Sequence, residues 1–381
     1  MQSKEQLESI VKVLNLLTSG SYGGIEVYCR NIGLNAKYEN GFCFLFGEGD
    51  VYDQMKKDGL HVYSICEKKK LSKKRISKLM YIARDYDIIV VHHGDPFLIW
   101  YYLLLMKKYP KKKYIQTIHS CFNNYRFLNY GFIKRIIRTF EEKRVVKRSD
   151  GIVAVSNAVK ESYMVFLKNN LNKVHVVYNG IGTDIIKKGR SAKFLLEGKT
   201  KLLYIGRLSK EKGVDILLQA LSFLSFDYIL YIVGDGEERE NLETLTEELR
   251  LRDKVIFEGF QSDVGKYLSI CNIFIYPTLW ESFGISIVEA MAYGRICISN
   301  AVGGIPEIIK DKENGYLSYQ MTVESLSATI EKAVNQINYS GEMRSKAKKT
   351  AESFTIERSC DELADLFFCC MKNVRKRKGY T

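Results

Sequence analysis

KLLYIGRLSKEKGVDILLQAL, residues 201–221, contains a complete change of secondary structure. Lys201–Ile205 is a short apolar run of strand type, Gly206 permits a close turn, and from Val214 the apolar residues recur with a helical period. A strand that is apolar on both faces belongs inside a helix-covered sheet, which is how parallel strands read. The same alternation continues downstream in YILYIVGDG (228–236), KVIFEGF (254–260), IFIYPT (273–278) and RICISN (295–300). Upstream it appears in VKVLNLL (11–17), NGFCFLFG (40–47), YDIIVVHHG (86–94), KYIQTIHS (113–120), DGIVAVS (150–156) and KVHVVYNG (173–180). Amphipathic stretches such as 131–148 separate the runs, so the chain is built from βαβ units. The two series meet in the polar stretch 180–200. The expected fold class is therefore α/β, with two Rossmann-like, doubly wound parallel-sheet domains facing a deep cleft and ligands at the carboxyl ends of the strands. The expected domains are 1–185 and 195–355, with the C-terminal helix 360–381 packing back on the first.

Composition narrows the class. A chain of 381 residues with 46% hydrophobic content and only 4 Pro exceeds one ordinary core and reads as soluble and globular. The 9 cysteines are scattered without a CxxC pair, which suits reduced thiols in a cytoplasmic protein better than a disulfide framework or a zinc site. With Glu5 and Glu8 ahead of a short apolar run no secretory leader is expected, and FLIWYYLLLM (97–106) is too short to span a bilayer as a helix. Charge divides unevenly. Residues 1–200 carry 35 Lys+Arg against 18 Asp+Glu, and residues 201–381 carry 23 against 26. The basic half is expected to meet something anionic and extended: a membrane surface, a nucleic acid or an acidic glycan.

Two stretches carry chemistry. In the first, Arg207 and Lys212 flank a strand-to-helix loop, where a guanidinium and an ammonium beside a helix N-terminus make an anion site fit for a pyrophosphate. A solvated loop with ordinary surface charge is the alternative. Neither a P-loop nor a GxGxxG fingerprint is present. In the second, PTLWESFGISIVEAMAYG (277–294), Glu281 stands in the loop after a strand and Glu289 lies about a turn and a half into the next helix. Carboxylates are good acceptors for the vicinal hydroxyls of a sugar or a ribose. Taken singly, each glutamate is also explained as a helix cap or the partner of a neighbouring base.

The ordered set GRLSKEKG, IVGDGEE, EGF, PTLWESFGISIVEAMAYG and AVGGIPEII resembles the family 4 retaining glycosyltransferases of GT-B fold, of the kind that build bacterial cell-surface polysaccharides. Glu281 and Glu289 match the family's E-x7-E motif with full spacing. The resemblance implies a nucleotide-sugar donor held mainly by the second domain. Arg207 and Lys212 would hold the diphosphate, Glu289 the ribose hydroxyls and Glu281 the hydroxyls of the donor sugar. Backbone N–H groups around Phe283, Gly284 and Ile285 would meet sugar and phosphate. In the first domain Gly23 and Gly24 match the family's glycine loop, and His119 matches its active-site histidine; His92 and His93 lie on a neighbouring strand end. The chain departs from the family in YNGIG (178–182), where Gly182 replaces an aspartate for which Asp184 can stand in by position.

The resemblance further implies a retaining, metal-independent hexosyl transfer with no cofactor beyond the nucleotide-sugar co-substrate. UDP is favoured over GDP as its carrier. In the second half Asp235 and Asp263 stand apart and form no DxD cluster. The lysine-rich segments 66–78 and 106–114, together with YGFIKRIIRTFEEKRVVKR (130–148), suit peripheral contact with anionic lipid on the cytoplasmic face of the cell membrane. A core-facing helix with a solvated basic face is the other reading of 130–148. The expected acceptor is a glycan, lipid-linked, as in capsule or lipopolysaccharide assembly. The rival readings are a cofactor-independent nucleotide-sugar epimerase of GT-B-like fold and a basic nucleic-acid- or membrane-binding protein without catalysis. Nucleic acid is not expected as a partner, because the basic segments lack an RRM, KH or zinc pattern.

Overall fold

The computed structural model describes residues 11–21, 23–65, 72–92, 95–122, 131–167 and 172–377. His93, the start of the lysine-rich segment at 66–71 and the last four residues lie outside them. The chain forms two compact units, one of residues 1–180 and 356–381, the other of residues 181–355.

The first unit is a seven-stranded sheet, all parallel, with strands β1 (Lys12–Leu17), β2 (Glu39–Phe44), β3 (His61–Ser64), β4 (Ile88–His92), β5 (Lys113–Ile118), β6 (Gly151–Ala154) and β7 (Val174–Val176) in the order β3-β2-β1-β4-β5-β6-β7. The order reverses between β1 and β4, so the loops after these strands open at the topological switch point. Alternate residues of β1 serve opposite layers. Val13 and Leu17 join one core with Tyr28 and Cys29, whereas Leu14 and Leu16 join the other with Tyr101 and Tyr102. The Ile356–Arg377 helix belongs to this unit, burying Cys360, Leu363 and Phe367 against the layer that holds Ile32 and Tyr38.

The second unit is a six-stranded parallel sheet of β8 (Thr200–Ile205), β9 (Tyr228–Val233), β10 (Val255–Gly259), β11 (Ile273–Tyr276), β12 (Ile296–Asn300) and β13 (Tyr316–Ser318), in the order β10-β9-β8-β11-β12-β13. Here the switch point lies between β8 and β11. The polar stretch at 180–200 is less of a linker than its composition suggests. Thr183–Ser191 is a helix of this unit, with Ile186 and Gly189 buried and Gly189 closely apposed to the backbone of Ala292. The change of unit therefore falls at 180/181 rather than after 185.

The edge strands β3 and β13 have no counterpart among the apolar runs of the sequence. They span only four and three residues, and β3 is at most half-buried along its length. β13 is buried throughout, but its apolar residues are only Tyr316 and Leu317, too few to read as a run.

Candidate active site

The loop after β8 and the loop after β11 converge at the second unit's switch point. Tyr204 Oη donates to the Arg207 carbonyl at 2.8 Å, and Lys210–Lys212 tighten into a 3-10 turn. Gly213 follows at φ +64°, where a side chain would collide with the Pro277 carbonyl. Leu279 N donates to the Glu211 carbonyl at 2.8 Å, which fastens the second loop to the first. The two loops are thus held in register by backbone, and their charged side chains meet.

Lys212 Nζ lies 2.9 Å from Glu281 Oε2 and 2.8 Å from Tyr276 Oη, and Tyr276 Oη donates to the same Glu281 oxygen at 2.8 Å. The other carboxylate oxygen, Oε1, accepts from Ser282 N at 3.0 Å and from Phe283 N at 3.4 Å. Burial alone would raise the Glu281 carboxyl, but the Lys212 ammonium, the Tyr276 hydroxyl and the Phe283 N–H together hold it below its ordinary range. Burial likewise opposes the Lys212 charge and is overcome by Glu281, so that ammonium titrates above its ordinary value. Both groups stay charged at neutral pH. Arg207 is exposed and has no ion-pair partner among the described residues, yet lies near enough to act electrostatically on Tyr276.

The Ile285–Ala292 helix starts from Gly284, whose φ of +104° suits glycine, and no side chain caps it. The N–H groups of Gly284 and Ile285 make no hydrogen bond to the described residues, which leaves two donors at the positive end of the helix. Phe283 is buried, edge-on to Phe354. Gly303 and Gly304, of AVGGIPEII, press against the Glu281 and Ser282 carbonyls so closely that neither position admits a side chain. Glu289 sits half-buried further along the helix, and burial, with Asp184 adding like-charge repulsion, pushes its carboxyl up to about 7. Asp184 lies in the first turn of the Thr183–Ser191 helix and so faces Glu289 within the second unit.

In the first unit, Gly23 precedes the Gly24–Asn35 helix in an extended conformation open to any residue, and a side chain at Gly24 would meet nothing within 4 Å. Internal packing therefore does not demand glycine at 24. His119 follows β5, its Nε2 2.9 Å from Nδ1 of His92, which ends β4.

The structure brings Lys212 and Glu281 into direct contact and sets Glu289 beside Asp184. Tyr276 does not stand out in the sequence, where it reads only as the last residue of an apolar strand. A tyrosine at the carboxyl end of a buried strand, with a hydroxyl that must find a partner, is the available signal. Asn15, the one amide in VKVLNLL, is hidden in the same way. Among the described residues no three His, Cys, Asp or Glu side chains group as metal ligands.

Known proteins resemble this chain in sequence and architecture. The profile of Glycosyltransferase Family 4 matches residues 22–185, and that of Glycosyl transferases group 1 matches residues 186–353. An uncharacterized glycosyltransferase of Haemophilus influenzae is 30% identical over 248 residues, which are 64% of this chain and 68% of that protein. The N-acetylgalactosamine-N,N'-diacetylbacillosaminyl-diphospho-undecaprenol 4-alpha-N-acetylgalactosaminyltransferase of Campylobacter jejuni is 24% identical over 254 residues, 66% of this chain and 69% of that enzyme. The crystal structure of Anabaena Alr3699/HepE in complex with UDP matches with a TM-score of 0.79 at 20% identity, covering 93% of this chain and 99% of that one.

Proposed function

The chain belongs to the group 1 glycosyltransferases and has their GT-B fold, and from that membership we propose that it moves a hexose-type sugar from a UDP-sugar, with retention, to a hydroxyl of a lipid-linked glycan in cell-surface polysaccharide synthesis. The observation that carries the reading is the Lys212–Tyr276–Glu281 triad beside the uncapped start of the Ile285–Ala292 helix. It places a fixed cation, a carboxylate and free N–H donors together at a switch point, which is what a diphosphate joined to a hydroxyl-rich sugar requires. UDP is favoured because a protein of this architecture holds it in its crystal structure.

In the proposed reaction the bond from the anomeric carbon to the diphosphate oxygen breaks while the acceptor oxygen bonds that carbon on the same face. The acceptor's proton passes to the departing phosphate oxygen. Arg207, Lys212 and the helix N–H groups carry the charge that develops there, and no metal or other cofactor is invoked. Glu289 accepts from the ribose hydroxyls, Glu281 and His119 meet the transferred sugar, and Gly23 and Gly24 give the phosphate or acceptor close approach. Titration with UDP and with GDP tests the reading. Micromolar binding of UDP, and transfer unchanged by EDTA, are expected. A folded protein that binds neither nucleotide would refute it.

The lipid-linked acceptor and the membrane have a separate support. In the Phe132–Arg148 helix only Glu142, Val145 and Val146 are buried, whereas Phe132, Ile133 and Phe140 are 78%, 74% and 64% exposed. An exposed apolar stripe on a helix rich in Lys and Arg suits insertion at an anionic bilayer surface. A groove of 1760 Å³, lined by Trp100, Leu103, Phe140, Lys107 and Arg144 among others, continues the surface. Among the described residues no helix is long and apolar enough to cross a membrane, so the contact proposed is peripheral, on the cytoplasmic face. The Campylobacter jejuni relative, named for an undecaprenol-linked acceptor, lends this further weight. The protein should co-sediment with phosphatidylglycerol vesicles at physiological salt, and Ile136→Asp with Phe140→Asp should abolish this without weakening UDP binding. A wild type that ignores such vesicles removes the membrane from the proposal.

A further inference from the structure

The histidine pair at the ends of β4 and β5 is the visible end of a longer buried chain of hydrogen bonds. Its members are Asn40 of β2, Asn15 of β1, His92 of β4 and His119. Asn40, Asn15 and His92 share the sheet face of Val13, Phe42 and Val90, the layer that also contains Cys29. Asn15, Asn40 and His92 are each buried, His92 with 6% exposure, so a misdirected hydrogen in the chain would be costly.

Every hydrogen in it has a determined direction. Asn40 Nδ2 donates to the Tyr38 carbonyl at 3.2 Å, which can only accept, so Asn40 turns its Oδ1 toward Asn15. Asn15 Nδ2 therefore donates to that oxygen at 3.0 Å, with the Gly41 carbonyl a second acceptor at 3.4 Å. Asn15 Oδ1, an acceptor, then lies 3.0 Å from His92 Nε2, which must carry a hydrogen. A neutral His92 has its lone pair on Nδ1, and the atom 2.9 Å from that lone pair is His119 Nε2, which must be the donor.

We infer that His92 is a positioning residue that, anchored through Asn15 and Asn40 to two backbone carbonyls, fixes Nε2 of His119 as a hydrogen donor, so that in neutral His119 the acceptor nitrogen, the one suited to a sugar hydroxyl, is Nδ1. The assignment of that hydroxyl to the transferred sugar rests on the proposed function; the tautomer does not. Among the described residues no carboxylate bonds His92 to support an alternative in which it is cationic. Burial and the neighbouring His119 both drive the His92 imidazole well below its ordinary range. Cys29 Sγ, 3.5 Å from His92 Nε2, is a thiol held protonated by burial, and Tyr28, edge-on to His119, has a phenol pushed up by burial as well. This differs from a metal-site or triad histidine, whose tautomer a carboxylate fixes. Here amides do so without adding charge.

Histidine-labelled protein tests the inference through long-range proton–nitrogen correlation spectra, with His92 and His119 assigned by substitution among only 5 histidines. Both are expected to show Nε2 protonated and Nδ1 bare at neutral pH. His119 protonated at Nδ1 instead overturns the inference. In the variant Asn15→Asp a carboxylate faces His92 Nε2 and favours the imidazolium, whose Nδ1–H then donates to His119 and reverses its tautomer. That reversal should lower kcat/KM for transfer by about 10- to 100-fold, as loss of a histidine's outer partner does elsewhere, with UDP affinity unchanged. His92→Phe gives a mixed His119 tautomer and a smaller loss. A reversed tautomer with unaltered kcat/KM overturns the positioning role. A protein with the expected spectra but no transfer activity supports the tautomer and refutes the proposed reaction.

Discussion

Lys212→Met is expected to lower kcat by roughly 100- to 1000-fold, the loss seen when one preorganised donor to a developing oxyanion is removed. The side chain is nearly isosteric, so the Glu211 carbonyl in the loop after β8 keeps its hydrogen bonds from Leu279 N and the Thr278 hydroxyl. What disappears is the cation that faces Glu281. The variant has a second consequence, because Glu281 is then left with burial unopposed by an ammonium. Breaking one side of a buried pair costs about 3 to 5 kcal/mol, and less at a pair that retains some solvent contact. In the wild type the pair stabilises the fold across a wide pH window. The Glu281 part is present above its ordinary value of 4.5 and is lost as pH falls through the depressed folded value; the Lys212 part is present below 10.5 and is lost as pH rises through the raised one. The double variant Lys212→Met with Glu281→Gln separates the two effects. Its melting temperature should recover toward the wild type because no unpaired charge remains, while turnover stays low. Recovery of turnover along with stability would show that Lys212 serves the fold and not the leaving group.

That pairing also shows how far the sequence could be read. Near-continuous apolar runs identify eleven of the strands, nine of them interior strands covered on both faces, whereas β3 and β13 escape because they are short edge strands with too few consecutive apolar residues to read as a run. Arg207, Lys212 and Glu281 stand out as candidates through their positions in loops after strand ends, where the doubly wound fold places its ligands, and Glu289 through its spacing from Glu281. Spacing does not reveal which groups contact one another across the sheet. Lys212 and Glu281 are 2.9 Å apart although 69 residues separate them, and Tyr276 bridges them from within an apolar strand. The same holds for Asn15, which is 77 residues from His92. The exposed stripe of the Phe132–Arg148 helix is ambiguous in the sequence for a related reason. Periodicity says that a face is apolar, and only the packing of neighbouring elements says whether it is covered.

Glu289→Gln should weaken donor binding and stabilise the empty protein, and pH distinguishes the two effects. The folded carboxyl titrates near 7 against an ordinary value of 4.5, so ionising it above pH 7 works against the fold. By linkage the stabilisation of the protonated form is complete below about 4.5 and is lost as pH rises through about 7. The glutamine variant has no charge to expose at this site. It should therefore be more stable than wild type by about 3 kcal/mol at pH 8, with no gain at pH 4, at 1.36 kcal/mol per pH unit between the two values. Binding runs the other way. A carboxylate that accepts from two ribose hydroxyls must be ionised, so UDP-glucose should bind the wild type progressively less well as pH falls below about 7. Its diphosphate is a diester and keeps its charge over this range, which leaves Glu289 to report. The glutamine variant should bind weakly with a flat profile, and Asp184→Asn, by removing like-charge repulsion, should move the wild-type profile to lower pH. Equal pH profiles in wild type and Glu289→Gln would detach Glu289 from the donor. A stabilised but still tightly binding Glu289→Gln would show that the carboxylate's charge is not used for recognition. An empty fold would gain stability by giving this charge up, and the proposed donor binding is a use that would keep it.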